Sequence, residues 1–562
     1  MADGVDANAA RPEALKLELR GEGLAIEDVV DVARRHRPVF VTNDAAILDR
    51  VDQAYDWVQT AVRGDAPLYG VTTRFGGMAD RQLDGEDAYA LQDNALRLHK
   101  CGAGPPLQSD SVRDAMLVRM NSHLRGASGV RVALVRRLEA MLNLGLTPIV
   151  PENGSIGASG DLVPLNYIAG AAFGLDDAFK VSVRGCVLGA QKALAAHALS
   201  PMTPHPKEAL AMINGTSFSA GAAALCVYDF ETLFAAAICV HVLAYQALHA
   251  SNQSLHPFIH QLKGHAGQRW MAAKLLSMLE GSRMARDELN GLCESRGQGP
   301  IQDRYAQRCA PQYLGPIVDG FSALRRNVET ELNGASDNPL VDATDGSTYH
   351  GGNFLAQYIA LGMDALRQWL SLLAKHLDVQ TAQLMAPEFS RGLPASLVGN
   401  QSRPTNMGLK GLQLTSNSLS PLIEFYGAPI ADRFPTHAEQ YNQNVNSQSF
   451  NATLLARRQI ALAQRLVSLS LMVVVQAVDL RCRELCGHCD ARALISPGSV
   501  PIYEAVRRVI GRPPEPERPL IHNDDEQWLD AYLDALISDL EEEGALATVA
   551  RGLVGRVGVE PA

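Results

Sequence analysis

Aromatic residues are scarce in this 562-residue chain: 14 Phe, 14 Tyr and 4 Trp make up 6% of it. Alternating polar and apolar runs are scarcer, which leaves an all-β architecture little support. Positive charge is not in excess. Lys plus Arg number 50 against 61 Asp plus Glu, a net charge of −11, and a chain of that balance without a basic stripe is a poor nucleic-acid binder. The nine cysteines are scattered and odd in number, which argues against a disulfide framework. No apolar run reaches the roughly 20 residues of a bilayer span. The most apolar stretch, residues 466–480, contains Gln476 and Asp479 and reads as a buried core helix. Residues 1–20 are polar and acidic, unlike a secretory signal, so a soluble, cytoplasmic protein is expected. A phosphate loop, a dinucleotide fingerprint and a G-x-S-x-G elbow are all absent from the sequence.

What is present is globular and helical. Hydrophobic residues make up 47% and charged residues 20%, with a mean hydropathy of −0.04. Leu91, Ala95 and Leu98 recur at helical spacing in residues 86–100, as do Leu366, Leu370, Leu373 and Leu377 in 361–385. Residues 215–250 read as a long small-residue helix, and 453–481 as the longest uninterrupted run. Such lengths exceed the globular mean of about 11–12 residues and favour a helical bundle. Residues 179–187 are the one convincing hairpin, and 511–519 (GRPPEPERP) resemble a linker. Asn523 is expected to cap an acidic amphipathic helix with Trp528, Tyr532, Leu533, Leu536, Ile537 and Leu540 on one face.

Two clusters carry possible metal chemistry. Cys482, Cys486 and Cys489, with His488 among them, could hold an iron–sulfur cluster or zinc, or form a redox pair. No fourth ligand lies nearby in sequence, and chance cysteines at a helix end are the preferred reading. His256 and His260 share a helix face, but HPFIH lacks the Glu of a metalloprotease motif, so a structural pair is expected. No metal is assigned.

Residues 151–167, PENGSIGASGDLVPLNY, decide the question. On physics alone they form a Gly/Ser-rich turn entering a helix, with Asp161 as N-cap. Glycine at the third place of Ala158-Ser159-Gly160 also allows its nitrogen to fold back onto the Ala158 carbonyl, which a Cβ would obstruct. Ser159 can then lose its hydroxyl as water, leaving an exocyclic electrophile built from the chain.

Gly-x-x-Gly-Ala-Ser-Gly-Asp-Leu-x-Pro-Leu at 154–165 resembles the signature of the aromatic amino-acid and histidine ammonia-lyases, above all the bacterial phenylalanine enzymes. The resemblance runs over roughly residues 25–560. It includes YGVTT (69–73), MINGTS (212–217), QDRYAQRCAPQYLGP (302–316), ASDNP (335–339), HGGNF (350–354) and NQNVNSQS (442–449). It implies a mainly α, homotetrameric long-helix bundle of the fumarase/aspartase-like type, with sites shared between subunits. It also implies a flexible segment 1–22, a domain 23–200 with the Ala-Ser-Gly group and a lid loop, a central bundle 201–490 and a helical region 491–562.

The implied prosthetic group is 4-methylideneimidazol-5-one from Ala158, Ser159 and Gly160. By the same resemblance Tyr69 is the base, its pKa near 10 lowered to make a phenolate. Arg308 grips the substrate carboxylate, because a guanidinium fork matches two carboxylate oxygens. Asn214, Tyr305 and Asn442 hydrogen-bond the group and the carboxylate, with Gln302 at a further polar position. Glu439 lies near the substrate amine, and Phe354 walls the ring.

Several positions depart from the pattern or bear on the substrate. Leu98-His99 stands where phenylalanine, tyrosine and histidine lyases show Phe-Leu, His-Leu and Ser-His, so His99 is a candidate partner for a ring substituent. Gln443 occupies a position where histidine lyases place Glu, which disfavours histidine as substrate. Arg74 replaces the usual Gly in the loop YGVTTRFGG and could stiffen a lid or meet an unusual substrate; Gly334, replacing a usual Ser, carries no assigned role. The expected activity is elimination of ammonia from phenylalanine or a ring-substituted analogue, with an aromatic 2,3-aminomutase as the alternative. A non-catalytic helical scaffold is the reading from another class, opposed by the intact Ala158-Ser159-Gly160, Tyr69 and Arg308.

Overall fold

The structure, a computed structural model, describes residues 16–64, 67–289 and 301–559. Long helices dominate it: Ser217–Ala247, Gln357–Met385 and Ser449–Cys486 contain 31, 29 and 38 residues. The first and last are long and apolar enough to cross a membrane, but their most apolar windows are 94% and 83% buried within the protein, as core helices are. The hairpin expected at 179–187 forms from Lys180–Val183 and Cys186–Gly189, with Val181 opposite Leu188. Leu146–Pro148 adds a third antiparallel strand beside it. The chain folds into two compact units. One comprises residues 1–228, 325–363 and 430–454; the other comprises 229–324, 364–429 and 455–562.

In the first unit, Leu17–Leu19 pairs in parallel with Val39–Val41, so the end of the segment expected to be flexible is a strand; residues 1–15 lie outside the described residues. Helix Ser109–His123 is almost wholly buried, including Arg113 and Arg119. Those arginines are tolerated because their N–H groups find main-chain carbonyls: Arg113 donates to Val32 and Leu142, and Arg119 to Asn214. Buried charge without such partners would be far more costly.

In the second unit, Gln476 and Asp479 of the apolar run 466–480 are its docking points. Gln476 Nε2 donates to the carbonyls of Leu397 and Ile521, both at 2.9 Å, and its Oε1 accepts from Ile521 N–H. Asp479 forms a buried ion pair with Arg507 and accepts from Tyr503 Oη and Leu520 N–H, each at 2.7 Å. The amphipathic helix expected after Asn523 starts later. Asn523 leads into the 3-10 turn Asp524–Glu526, and the helix is Leu529–Glu541. Its buried residues are Leu536 and Leu540, while Trp528 is 82% exposed. The Asn523 amide donates to Glu526 and its Oδ1 accepts from Asn400 and Asn406, which removes it from capping.

Candidate active site

The Ala158-Ser159-Gly160 loop is held by hydrogen bonds to its main chain from two distant segments. Gly160 sits at φ +67°, and a Cβ there would lie 2.1 Å from the Gly215 carbonyl oxygen. No other residue type fits such an approach. Asp161 N–H donates to that same oxygen at 2.7 Å. On the opposite side Ser447 donates to the Gly157 carbonyl through both its N–H and Oγ, each at 2.9 Å. Asp161 does not cap the following helix with its side chain. Its carboxylate instead accepts from Ser219 N–H (2.7 Å), Ser219 Oγ (2.8 Å) and Ser155 Oγ (3.0 Å). Complete burial nonetheless pushes its pKa up to about 6 against those donors.

Asn214 ends the helix Glu208–Ile213 and points its amide at the tripeptide. Nδ2 donates to Ser159 O at 3.0 Å and Ser159 Oγ at 2.9 Å. The buried Asn214 Oδ1 has no hydrogen-bond partner among the described residues. A glycine-only third position, a buried Ala158 and a serine hydroxyl held by an amide suit a ring closed from these three residues.

Ala158, Ser159 and Asn214 line a cavity of about 480 Å³ with Tyr69, Phe354, Asn442 and Gln443. Leu210, Leu355 and Val445 supply apolar wall, and Asn338 and His350 polar edge. Among the described residues no Lys, Arg, Asp or Glu lines it. His350 meets the Tyr69 ring edge-on, with centroids 6.0 Å apart at 86°. Tyr69 Oη accepts from Gly76 N–H at 2.9 Å, so the phenol's own proton is not engaged in that bond. The expected lowering of the Tyr69 pKa does not occur in this arrangement. Burial raises it, the Gly76 N–H opposes weakly, and nearby Glu439 adds a further push upward. Burial likewise raises Glu439, against a hydrogen bond with Gln443.

The loop carrying Tyr69 is packed against the segment carrying Glu439. Gly76, at φ +58°, leaves only 1.9 Å between a virtual Cβ and Glu439 Oε2. Glu439, Gln440 and Tyr441 all have positive φ, at 50°, 54° and 66°. Three consecutive non-glycine residues in that region store strain of order 1–3 kcal/mol each, held by Asn442 N–H to Glu439 O and Gln443 N–H to Ala438 O.

The remaining expected residues lie elsewhere. Leu98 is 58% exposed, and His99 closes the helix Gly85–Leu98 with Nδ1 at 2.8 Å from Ala95 O; neither lines the Tyr69 cavity. Burial lowers the His99 pKa against that bond, which favours a neutral ring. Arg74 is half-buried and in no ion pair among the described residues. Arg308, Tyr305 and Gln302 belong to the second unit. Arg308 and Gln302 line one cavity of about 230 Å³ there, and Tyr305 and Gln302 another of about 550 Å³. Arg308 Nε donates to Asp303 O at 3.2 Å, and its guanidinium lies 4.7 Å from the Tyr305 ring centroid. Its terminal nitrogens make no hydrogen bond among the described residues. The segment is anchored from below: His376 bonds to Ala306 O at 2.8 Å and Tyr245 Oη donates to Gln307 O at 2.6 Å.

His256 and His260 are structural, as expected. His256 Nδ1 caps Phe258 N–H, while His260 is bonded to Ser254 O and Gln268. Sequence reasoning missed Asp161 as anchor, Ser219, Ser447 and Arg119 as supports, and His350 beside Tyr69. Ser447 and His350 stand inside motifs already recognised; the burial of Arg119 had no local signal.

Fold and site together define a lyase. The chain belongs to the aromatic amino acid lyase family, whose description it matches over residues 24–508. It is 50% identical to a phenylalanine ammonia-lyase of Nostoc punctiforme over 93% of this chain and 92% of that protein. It is 45% identical to an aromatic ammonia-lyase of Loktanella atrilutea, over 94% and 97%. Among solved structures, phenylalanine aminomutase of Pantoea agglomerans superposes with a TM-score of 0.84 at 27% identity, covering 93% of this chain and 98% of that one.

Proposed function

We propose that the enzyme eliminates ammonia from an aromatic L-α-amino acid, phenylalanine or a ring-substituted relative, to give the trans-arylacrylate. The observation that carries this reading is the cavity holding Ala158, Ser159, Asn214 and Tyr69 together, in a chain half identical to a phenylalanine ammonia-lyase. Ala158, Ser159 and Gly160 would close to 4-methylideneimidazol-5-one with loss of two waters, and that group would supply an electrophilic carbon that makes nitrogen a better leaving group. Asn214 holds the Ser159 oxygens in place. Tyr69 takes the β-proton on its phenolate oxygen as the C–N bond breaks and its electron pair leaves with nitrogen. The Gly76 N–H stabilises that phenolate.

The cavity itself offers no cation for a carboxylate or for the Tyr69 phenolate. Arg308, Tyr305 and Gln302 fulfil the first task from a neighbouring copy in a homotetramer with shared sites. A free guanidinium terminus on Arg308 supports this, as does the lack of Lys or Arg in the Tyr69 cavity. Glu439, Asn442 and Gln443 face the amine and carboxylate side, Phe354 walls the ring, and Leu98, His99 and Arg74 adjust specificity from outside the cavity. A cytoplasmic location agrees with eight free cysteines among the described residues.

The test incubates purified protein with phenylalanine, tyrosine and histidine separately and resolves products by chiral chromatography with mass detection. Arylacrylate and ammonia from one of them are expected. A 2,3-aminomutase is the second reading, favoured by the tight closure of the Gly76 loop on Glu439, which would retain arylacrylate and ammonia for re-addition; β-amino acid as main product would establish it.

A further inference from the structure

We infer that Cys482, Cys486 and His488 form a binding site for a thiophilic divalent cation, with zinc(II) as the natural candidate. The site lies in the second unit and takes no part in the proposed lyase chemistry. Helix Ser449–Cys486 ends there. Gly487, at φ +82°, turns the chain back while its N–H still bonds to Arg483 O at 2.9 Å. The reversal brings His488 back onto the face of the last turn that carries Cys482 and Cys486.

The spacing is already that of a coordination sphere. Cys482 Sγ lies 3.4 Å from Cys486 Sγ and 3.7 Å from His488 Nδ1, and all three ligand atoms lie within 4.8 Å of one another. A tetrahedral zinc with ordinary bond lengths requires about 3.8 Å between sulfurs and about 3.6 Å between sulfur and nitrogen. Shifts of a few tenths of an ångström satisfy the two pairs that include Cys482, and rotation of the exposed Cys486 side chain brings its sulfur toward His488 from within 4.8 Å. Cys489, which the sequence pattern grouped with the other two, is not a member: its sulfur falls outside the group of ligand atoms that lie within 4.8 Å of one another.

The electrostatics favour a cation. The C-terminal end of a 38-residue helix presents unpaired carbonyls and the negative end of the helix dipole. Two soft sulfurs and an imidazole select zinc over calcium or magnesium. Nearby carboxylates are engaged elsewhere, Asp479 with Arg507 and Asp490 with Arg492, so water supplies the fourth ligand. Each thiol now donates to a carbonyl, Cys482 to Asp490 O at 3.2 Å and Cys486 to Cys482 O at 3.1 Å. Binding replaces these weak bonds with two metal–thiolate bonds and one metal–imidazole bond. Both thiol protons leave to solvent, so the dipositive ion and two thiolates make a neutral centre. Cys486 is exposed and His488 half-buried, which leaves the ion an entry path.

The experiment uses reduced, chelator-treated full-length protein titrated with cobalt(II), then zinc(II). One cobalt per chain is expected, with a thiolate charge-transfer band and the visible bands of a tetrahedral ion, both erased by zinc. Cys486→Ser and His488→Gln, at the exposed and half-buried positions, should each weaken binding by at least about tenfold, while Cys489→Ser should bind as the parent does. No cobalt spectrum in the reduced parent, or an unchanged spectrum in both ligand variants, would overturn the site. Peptide mapping that finds a Cys482–Cys486 disulfide forming equally with zinc present would also overturn it and assign the pair to redox chemistry.

Discussion

In the proposed reaction the Tyr69 cavity and the Arg308 segment serve one chemical task, yet they are built differently. The first is lined by no Lys, Arg, Asp or Glu among the described residues, and its reactive tripeptide is enclosed by hydrogen bonds to the segments of Gly215 and Ser447. The second carries a cation with free donors beside an exposed Tyr305, fixed from beneath by His376 and Tyr245. The contrast teaches that one chain holds both sets of groups without one cavity holding both.

The sharpest way to break the comparison is Ser159→Ala. It removes the oxygen that must leave, and turnover should fall by about 10⁴-fold or more, together with a near-ultraviolet absorbance sensitive to borohydride. Retained turnover would show that the enclosed half needs no electrophile. Tyr69→Phe deletes the oxygen that takes the proton and should cost roughly 10²–10⁴-fold in kcat, with the absorbance intact; full activity would remove it as base.

Acid should act through His376, beneath the Arg308 segment. His376 has its pKa pushed down to about 4 by burial, below the unfolded value near 6.5. The unfolded chain therefore binds more protons between those limits, and stability falls as pH drops from about 6.5 to 4, by about 3 kcal/mol for this group. Asp161, raised to about 6 in the first half, works in the reverse sense over its own range, because there the folded state holds the extra proton. Urea unfolding at pH 6.5 and 4.5 should show a smaller acid loss for His376→Gln than for the parent. Equal losses would dissociate His376 from the effect.

Arg308→Ala should lower kcat/KM by roughly 10–150-fold, the equivalent of about 1.5–3 kcal/mol for hydrogen bonds to a charged group. Co-expressed with Tyr69→Phe it should regain part of the activity, since mixed tetramers contain some sites with both native residues. Absence of any rescue would place both residues of a working site on one chain. Gly76→Ala is the mildest change. The displaced loop should cost about tenfold in kcat/KM, with a backbone penalty of about 1–2 kcal/mol, and an unchanged rate would separate loop closure from chemistry.

Much of the enclosed half was legible in sequence because its chemistry needs particular residue types at fixed spacing. Ala158-Ser159-Gly160 announces itself, and Asn214, Asn442, Gln443 and Phe354 stand in motifs around the same cavity. Leu98 and His99 were expected at the ring yet lie outside that lining, because a place in a motif does not tell which way the end of a helix faces. Asp161 looked like an N-cap, but Ser219, 58 residues away, offers it two donors that outcompete the local turn. The Tyr69 phenol was expected to acidify, and burial beside Glu439 raises it instead.

Sequence by itself determined the helical class, through periodicity and length, and the reactive tripeptide, through the unique permissiveness of glycine. Tertiary structure decided which distant donors clamp that tripeptide, which way each pKa moves, and that His488 rather than Cys489 joins Cys482 and Cys486. The physical reason is the same in each case. Periodicity and residue chemistry are local, whereas burial, fields and hydrogen-bond partners depend on segments that meet only when the chain has folded.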